Sequence, residues 1–144
     1  METKQRADLL KDEYLMLQQF YEDIDNKGLT IKSWAITVAL AVIGAGIVEK
    51  NDLILWAGLA ASIMFWYLEA HWRGLSYFFS ARIQNIEQSF QGGKLQAEVP
   101  LQVYSTWEAE YQKVGDQTIR YMIKPITIFP HVPIAVVIVV LLIL

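Results

Sequence analysis

The sequence predicts an all-α integral membrane protein: a transmembrane helical hairpin, a third, proline-broken C-terminal membrane segment and a cytoplasmic helical bundle, assembled as an oligomer. Three observations carry this reading. Leu29–Val48 is 20 residues long with one charge, Lys32. Leu53–Leu68 is 16 residues with none, and Ile126–Leu144 is 19 residues with none. At about 1.5 Å per helical residue, the first run covers roughly 30 Å, the thickness of a bilayer's hydrocarbon core. The second covers roughly 24 Å, so it must reach into the headgroup region or cross thin bilayer.

The apolar residues of the 144-residue chain lie in blocks; 54% are hydrophobic and the mean hydropathy is +0.28. The absence of Cys excludes a disulfide framework and a thiolate metal site. A net charge of −3 excludes a globally basic nucleic-acid binder, though not a local basic site. The N-terminal segment is acidic and helix-forming and does not read as a signal peptide.

Residues 1–28 read as an N-terminal cytoplasmic amphipathic helix. Leu10, Tyr14, Leu17, Tyr21 and Ile24 recur at spacings of four and three, a two-heptad seam. That seam fits packing on the chain's own helices and equally packing between subunits; it is the candidate oligomer seam. Gly28 then either ends this helix, with Thr30 capping the next, or lies within one unbroken helix.

Residues 29–68 form the transmembrane hairpin, closed by the turn Glu49-Lys50-Asn51-Asp52. Small residues at Ala41 and Ala45, and at Gly58 and Ser62, allow close helix approach. Eleven of the twelve Lys and Arg residues lie outside the turn, which places the N-terminus and residues 69–124 in the cytoplasm. Trp34, Trp56, Trp66, Tyr67 and Trp72 fall near the span ends, where amphipathic rings favour the headgroup level. Lys32, one turn inside the first span, either snorkels or pairs with Glu69 at the matching end of the second; the two form a candidate intramembrane pair.

Residues 69–124 form the cytoplasmic helical segment. The second span continues along a face of Leu68, Trp72, Leu75, Phe79, Ile83, Ile86 and Phe90 until Gln91-Gly92-Gly93 stops it. A further helix, capped by Ser105 with Glu108 three residues on, carries Tyr104, Trp107, Tyr111, Val114, Thr118 and Tyr121, and ends at Pro125. Residues 125–144 form the C-terminal membrane segment. Pro133 suits the first position of a helix. The 12 residues from Pro133 reach only about 18 Å, too short to span unaided.

No catalytic motif is present, and no metal or cofactor site is expected. The only histidines, His71 and His131, sit in different segments, and Glu69 and His71 point to different helix faces. One copy is too small to enclose a pore. In a symmetric assembly, Val136, Val137 and Val140 would form a hydrophobic, dewetting constriction. Arg73, Arg82, Arg120 and Lys124 would become cationic rings able to bind phosphates, with Trp107 and Tyr111 available to stack bases.

The stretch Asp23–Trp34, DIDNKGLTIKSW, leading into a small-residue span, resembles small multi-pass membrane effectors of bacterial antiphage defence, such as the Hailong-type and other nucleotide-gated channel effectors. The likeness covers mainly residues 10–90 and is one of plan: an acidic-aromatic helix, a hairpin, then cytoplasmic helices. It implies a homo-oligomeric channel, a tetramer as first guess, in the bacterial inner membrane. A nucleotide or oligonucleotide on the cytoplasmic side would open it or hold it shut, and opening would depolarise the cell. Membrane lipid and a protein of the same defence system are the further partners it implies. The other class of reading is a non-conducting membrane anchor or scaffold docking a cytoplasmic protein.

Overall fold

A computed structural model describes residues 3–144. Its elements are α1 (Thr3–Glu49), α2 (Asp52–Gln91), α3 (Val103–Val114), α4 (Thr118–Met122), α5 (Pro125–Ile128) and α6 (His131–Ile143), with no strand among the described residues. α1 and α2 are each long and apolar enough to cross a membrane. At 47 and 40 residues they run to about 70 and 60 Å.

α1 does not break at Gly28. The Thr30 hydroxyl donates to the Asn26 carbonyl, 3.0 Å away, one helical turn back rather than capping a new start. The α1–α2 turn is made by Lys50, at φ 48°, and Asn51, whose Oδ1 accepts from the Leu53 N–H at 3.0 Å. That bond satisfies an orphan donor at the start of α2, and Asp52 complements the helix dipole there.

The chain divides into two compact units. One comprises Met1–Asp25 with Gly74–Gln117. Its core is Leu10 and Leu17 of α1 against Ile83 and Ile86 of α2, ringed by Tyr14, Phe79, Leu95 and Val103. Thus the N-terminal seam turns Leu10 and Leu17 fully into its own chain, while Tyr21 stays 42% exposed; Ile24 is buried. α3 begins two residues before the expected cap. Its N-cap is Gln102, without a side-chain bond, and the Ser105 hydroxyl instead donates to Gln102 Oε1 at 2.7 Å from inside the helix. The expected continuous helix to Pro125 is divided at Gly115, which takes φ 67° and returns its N–H to the Tyr111 carbonyl. Phe78 packs against Trp107 and Tyr111, whose rings stack 5.3 Å apart and 6° from parallel.

The other unit comprises Asn26–Arg73 with Thr118–Leu144. Ile31, Ala35 and Ala39 of α1, Leu55 of α2 and Ile138 of α6 are its buried apolar residues. Two glycines permit close helix approach. Gly46 receives the Leu55 side chain, and Gly58 receives Val42 and Ile138. Pro125 opens α5 at its first turn, where no N–H is needed. α6 starts at His131, after a cis Phe129–Pro130 bond, so Pro133 lies within the first turn rather than opening it. The boundaries therefore fall inside α1 and α2, and residues 69–73 and 118–124 join the unit of the long apolar runs.

Candidate functional site

The second unit holds a buried cluster of charged side chains. α1 turns Gly28, Ile31, Ala35 and Ala39 inward at helical spacing, with Lys32 beside that stripe. On α2, Glu69 and Arg73 are four residues apart and so share a face. α6 contributes His131 from its first position. Glu69 is the hub and is fully buried. Its Oε1 accepts from Arg73 Nε at 2.7 Å and lies 3.4 Å from Lys32 Nζ. Its Oε2 lies 2.9 Å from Nε2 of His131, which is itself fully buried.

Lys32 carries three donors. Besides facing Glu69, its ammonium donates to the backbone carbonyls of Ile126 and Phe129, the latter at 2.8 Å. The Pro-rich approach to α6 is thereby tied to α1 through carbonyls that the irregular backbone leaves open. The Ser62 hydroxyl donates to the His131 carbonyl at 3.3 Å, and Trp66 Nε1–H donates to the Met122 carbonyl at 3.1 Å. His71, by contrast, turns to the Thr118 hydroxyl at 3.1 Å. One buried side-chain atom among the described residues has no hydrogen-bond partner: His131 Nδ1.

Lys32, Arg73 and His131 thus all converge on the Glu69 carboxylate. No group of three or more metal-ligating side chains converges among the described residues.

The first unit has a second buried charge set. Arg82, 2% exposed, donates from Nε to Glu13 Oε1 at 2.8 Å and from Nη2 to Glu13 Oε2 at 3.0 Å and the Val99 carbonyl at 2.8 Å; Nη1 bonds Glu98. Glu13 Oε2 also accepts the Leu101 N–H at 2.7 Å. Burial works against the Arg82 charge, but the hydrogen bonds and charges of Glu13 and Glu98 outweigh it, holding the guanidinium above its ordinary range. Arg6 adds bonds to the Gln96 and Glu98 carbonyls. Together these side chains clasp the loop after α2.

The candidate phosphate-binding side chains are divided between the two units. Arg82, Trp107 and Tyr111 belong to the first unit, whereas Arg73, Arg120 and Lys124 belong to the second. Arg73 and Arg82 are buried against carboxylates. Arg120 is exposed on α4, and Lys124 Nζ sits 3.5 Å over the Tyr121 ring. Val136, Val137 and Val140 are each about half exposed along α6.

Sequence reasoning missed the Glu69–His131 and Glu13–Arg82 pairs. A signal existed for the second: Glu13 falls on the stripe between Leu10 and Leu17, where a charge must be met by a partner. No known family model matches the chain, and neither the curated proteins nor the solved structures compared with it give a match.

Proposed function

We propose that this chain is a homo-oligomeric bacterial inner-membrane protein whose copies together form a pore, with residues of the first unit on the cytoplasmic side. The observation that carries the membrane reading is the inside-out character of the second unit. Lys32, Glu69 and Arg73, at one end of its apolar runs, are turned inward and paired, while Leu40, Met64, Trp56 and Val48 along those runs stand 58–77% exposed. A water-soluble surface does the reverse, and hydrocarbon demands this arrangement. The distribution of Lys and Arg supports the orientation.

The pore reading is supported by α6. It buries Ile138 and presents Val136, Val137 and Val140 outward with no charge on the whole helix. At 13 residues it spans about 20 Å. Repeated around an axis, those valines make a constriction that closes by dewetting. Opening it would depolarise the cell, the action expected of an antiphage effector. Binding of a nucleotide signal at Arg73 or Arg82 would cost the buried Glu69 or Glu13 an ion-pair partner.

A second reading, the non-conducting anchor that docks a cytoplasmic protein, is favoured by that same neutralisation of Arg73 and Arg82. Val137→Asn separates the two. A polar ring at a dewetted gate leaks ions from vesicles containing the purified protein. At a lipid-facing site the substitution lowers insertion and produces no leak. The mass of the nanodisc-embedded protein is the companion measurement, since a monomer or dimer cannot form the ring.

A further inference from the structure

We infer that residues 118–129 form a docking surface for anionic phospholipid. Ile119, Ile123, Ile126 and Phe129 enter the acyl boundary, while Arg120 and Lys124 face the lipid phosphates. The inference rests on the membrane reading above and adds to it a lipid class and the segment that recognises it.

The inner side of this segment is fixed to its own unit. Thr118 and Thr127 are buried. The Thr127 hydroxyl donates to the carbonyls of Tyr121 and Lys124, the latter at 2.9 Å, which holds the joint between α4 and α5 closed. Trp66 of α2 donates to the Met122 carbonyl, and Lys32 of α1 to the carbonyls of Ile126 and Phe129. Carbonyls that the irregular backbone leaves open are thus met from inside, as non-helical backbone beside hydrocarbon requires. The Trp66 indole also marks a depth, since tryptophan at a span end favours the headgroup level.

The outer side is amphipathic. Ile119, Ile123, Ile126 and Phe129 stand 49–70% exposed, at spacings of four, three and three. Arg120 and Lys124 each follow one of these isoleucines in the sequence. The Lys124 ammonium lies 3.5 Å from the centre of the Tyr121 ring, a cation–π contact that keeps the charge beside the apolar face. Beyond Asp116 the chain has no acid, so the charge of this face is positive. A turn that faces water carries polar side chains where these four apolar ones stand. An uncharged protein face would use the isoleucines but not the cations. An anionic leaflet offers hydrocarbon and phosphate side by side, at the depth that Trp66 marks.

The test uses the full chain in vesicles, with single cysteines carrying bimane, since the sequence has no native Cys. Ile123→Cys reports the segment, and Met64→Cys, also at an exposed position, reports the span. Doxyl-labelled phosphatidylglycerol and phosphatidylcholine are the quenchers. At Ile123→Cys, half-maximal quenching should need roughly fivefold less of the anionic lipid, the advantage that cations near an anionic surface supply. At Met64→Cys the two lipids should quench alike. Arg120→Gln combined with Lys124→Gln should erase the preference at residue 123 and leave quenching at residue 64 intact. Quenching at residue 64 without quenching at residue 123 overturns the inference and spares the membrane reading; quenching at neither overturns both. Equal quenching by the two lipids at residue 123, or a preference that survives the double substitution, also overturns it. A preference that excess ATP abolishes assigns the cations to a soluble phosphate ligand, with the same result. The lipid preference with both cations in place decides the matter even if the double variant misfolds.

Discussion

The guanidinium of Arg73 rests against the backbone of Gly28: a Cβ at residue 28 would lie 2.8 Å from Nη2 and 2.9 Å from Cζ. Gly28 is therefore a receptor for a buried cation within a continuous helix. Arg73 cannot retreat freely, because its Nε is held 2.7 Å from Glu69.

Gly28→Ala should lower stability by about 1–2 kcal/mol, although alanine is the better helix former by about 1 kcal/mol. Gly44→Ala is the control on the same helix, since nothing lies within 4 Å of its added Cβ. It should leave the Tm unchanged or raise it. Thermal unfolding of both variants in one detergent compares them directly, and equal Tm shifts would mean that Arg73 does not constrain residue 28.

Arg82→Ala should cost about 3–5 kcal/mol, because it leaves Glu13 buried without its partner. The loop after α2 should loosen, and trypsin should cleave after Lys94 faster than in the unaltered chain. The raised Arg82 pKa also fixes a pH expectation. A cation held above its ordinary range contributes its full stabilisation below that range and loses it only above. Circular-dichroism melts between about pH 7 and pH 10 should therefore show no loss that Arg82→Ala removes.

Gly58→Ala should destabilise by about 1–3 kcal/mol through overpacking against Val42. Adding Val42→Ala should recover part of that loss, a non-additivity expected only of residues in contact. If the two effects simply add, the close approach at Gly58 is not energetically coupled to Val42.

Trp107→Ala should cost about 2–3 kcal/mol by removing the ring stacked between Tyr111 and Tyr104 and packed on Phe78. Trp107→Phe should restore most of it. Were the ladder a base-stacking site instead of packing, both variants would lose nucleotide binding while keeping their Tm.

The helical hairpin was legible because its signals are local. The charged turn, the length of the apolar runs and the Gly92-Gly93 stop all act within a few residues. The start of α3 was not, because Ser105 carries the right side chain at the wrong place. The preceding chain is set instead by Leu101, at φ 63° and bound through its N–H to Glu13, 88 residues earlier. Gly28 misleads for a related reason: glycine signals a helix end only when no neighbour fills the space it leaves. Lys32 and Glu69 are recognisable as candidate partners, being lone charges at matching ends of two runs. His131 is not, because its link to Glu69 spans 62 residues and its flanking prolines draw attention to the backbone.

The carbonyls that hold Lys32 come from Ile126 and Phe129, 94 and 97 residues further along the chain. Translation therefore delivers the ammonium long before its receptors. On the membrane reading, the nascent hairpin enters the bilayer with Lys32 supported only by water, headgroups and, later, Glu69. The Pro-rich segment arrives last and closes over it. On that reading the cluster assembles in a fixed order, and the Lys32 ammonium gains its carbonyl acceptors only when residues 126–129 have joined it.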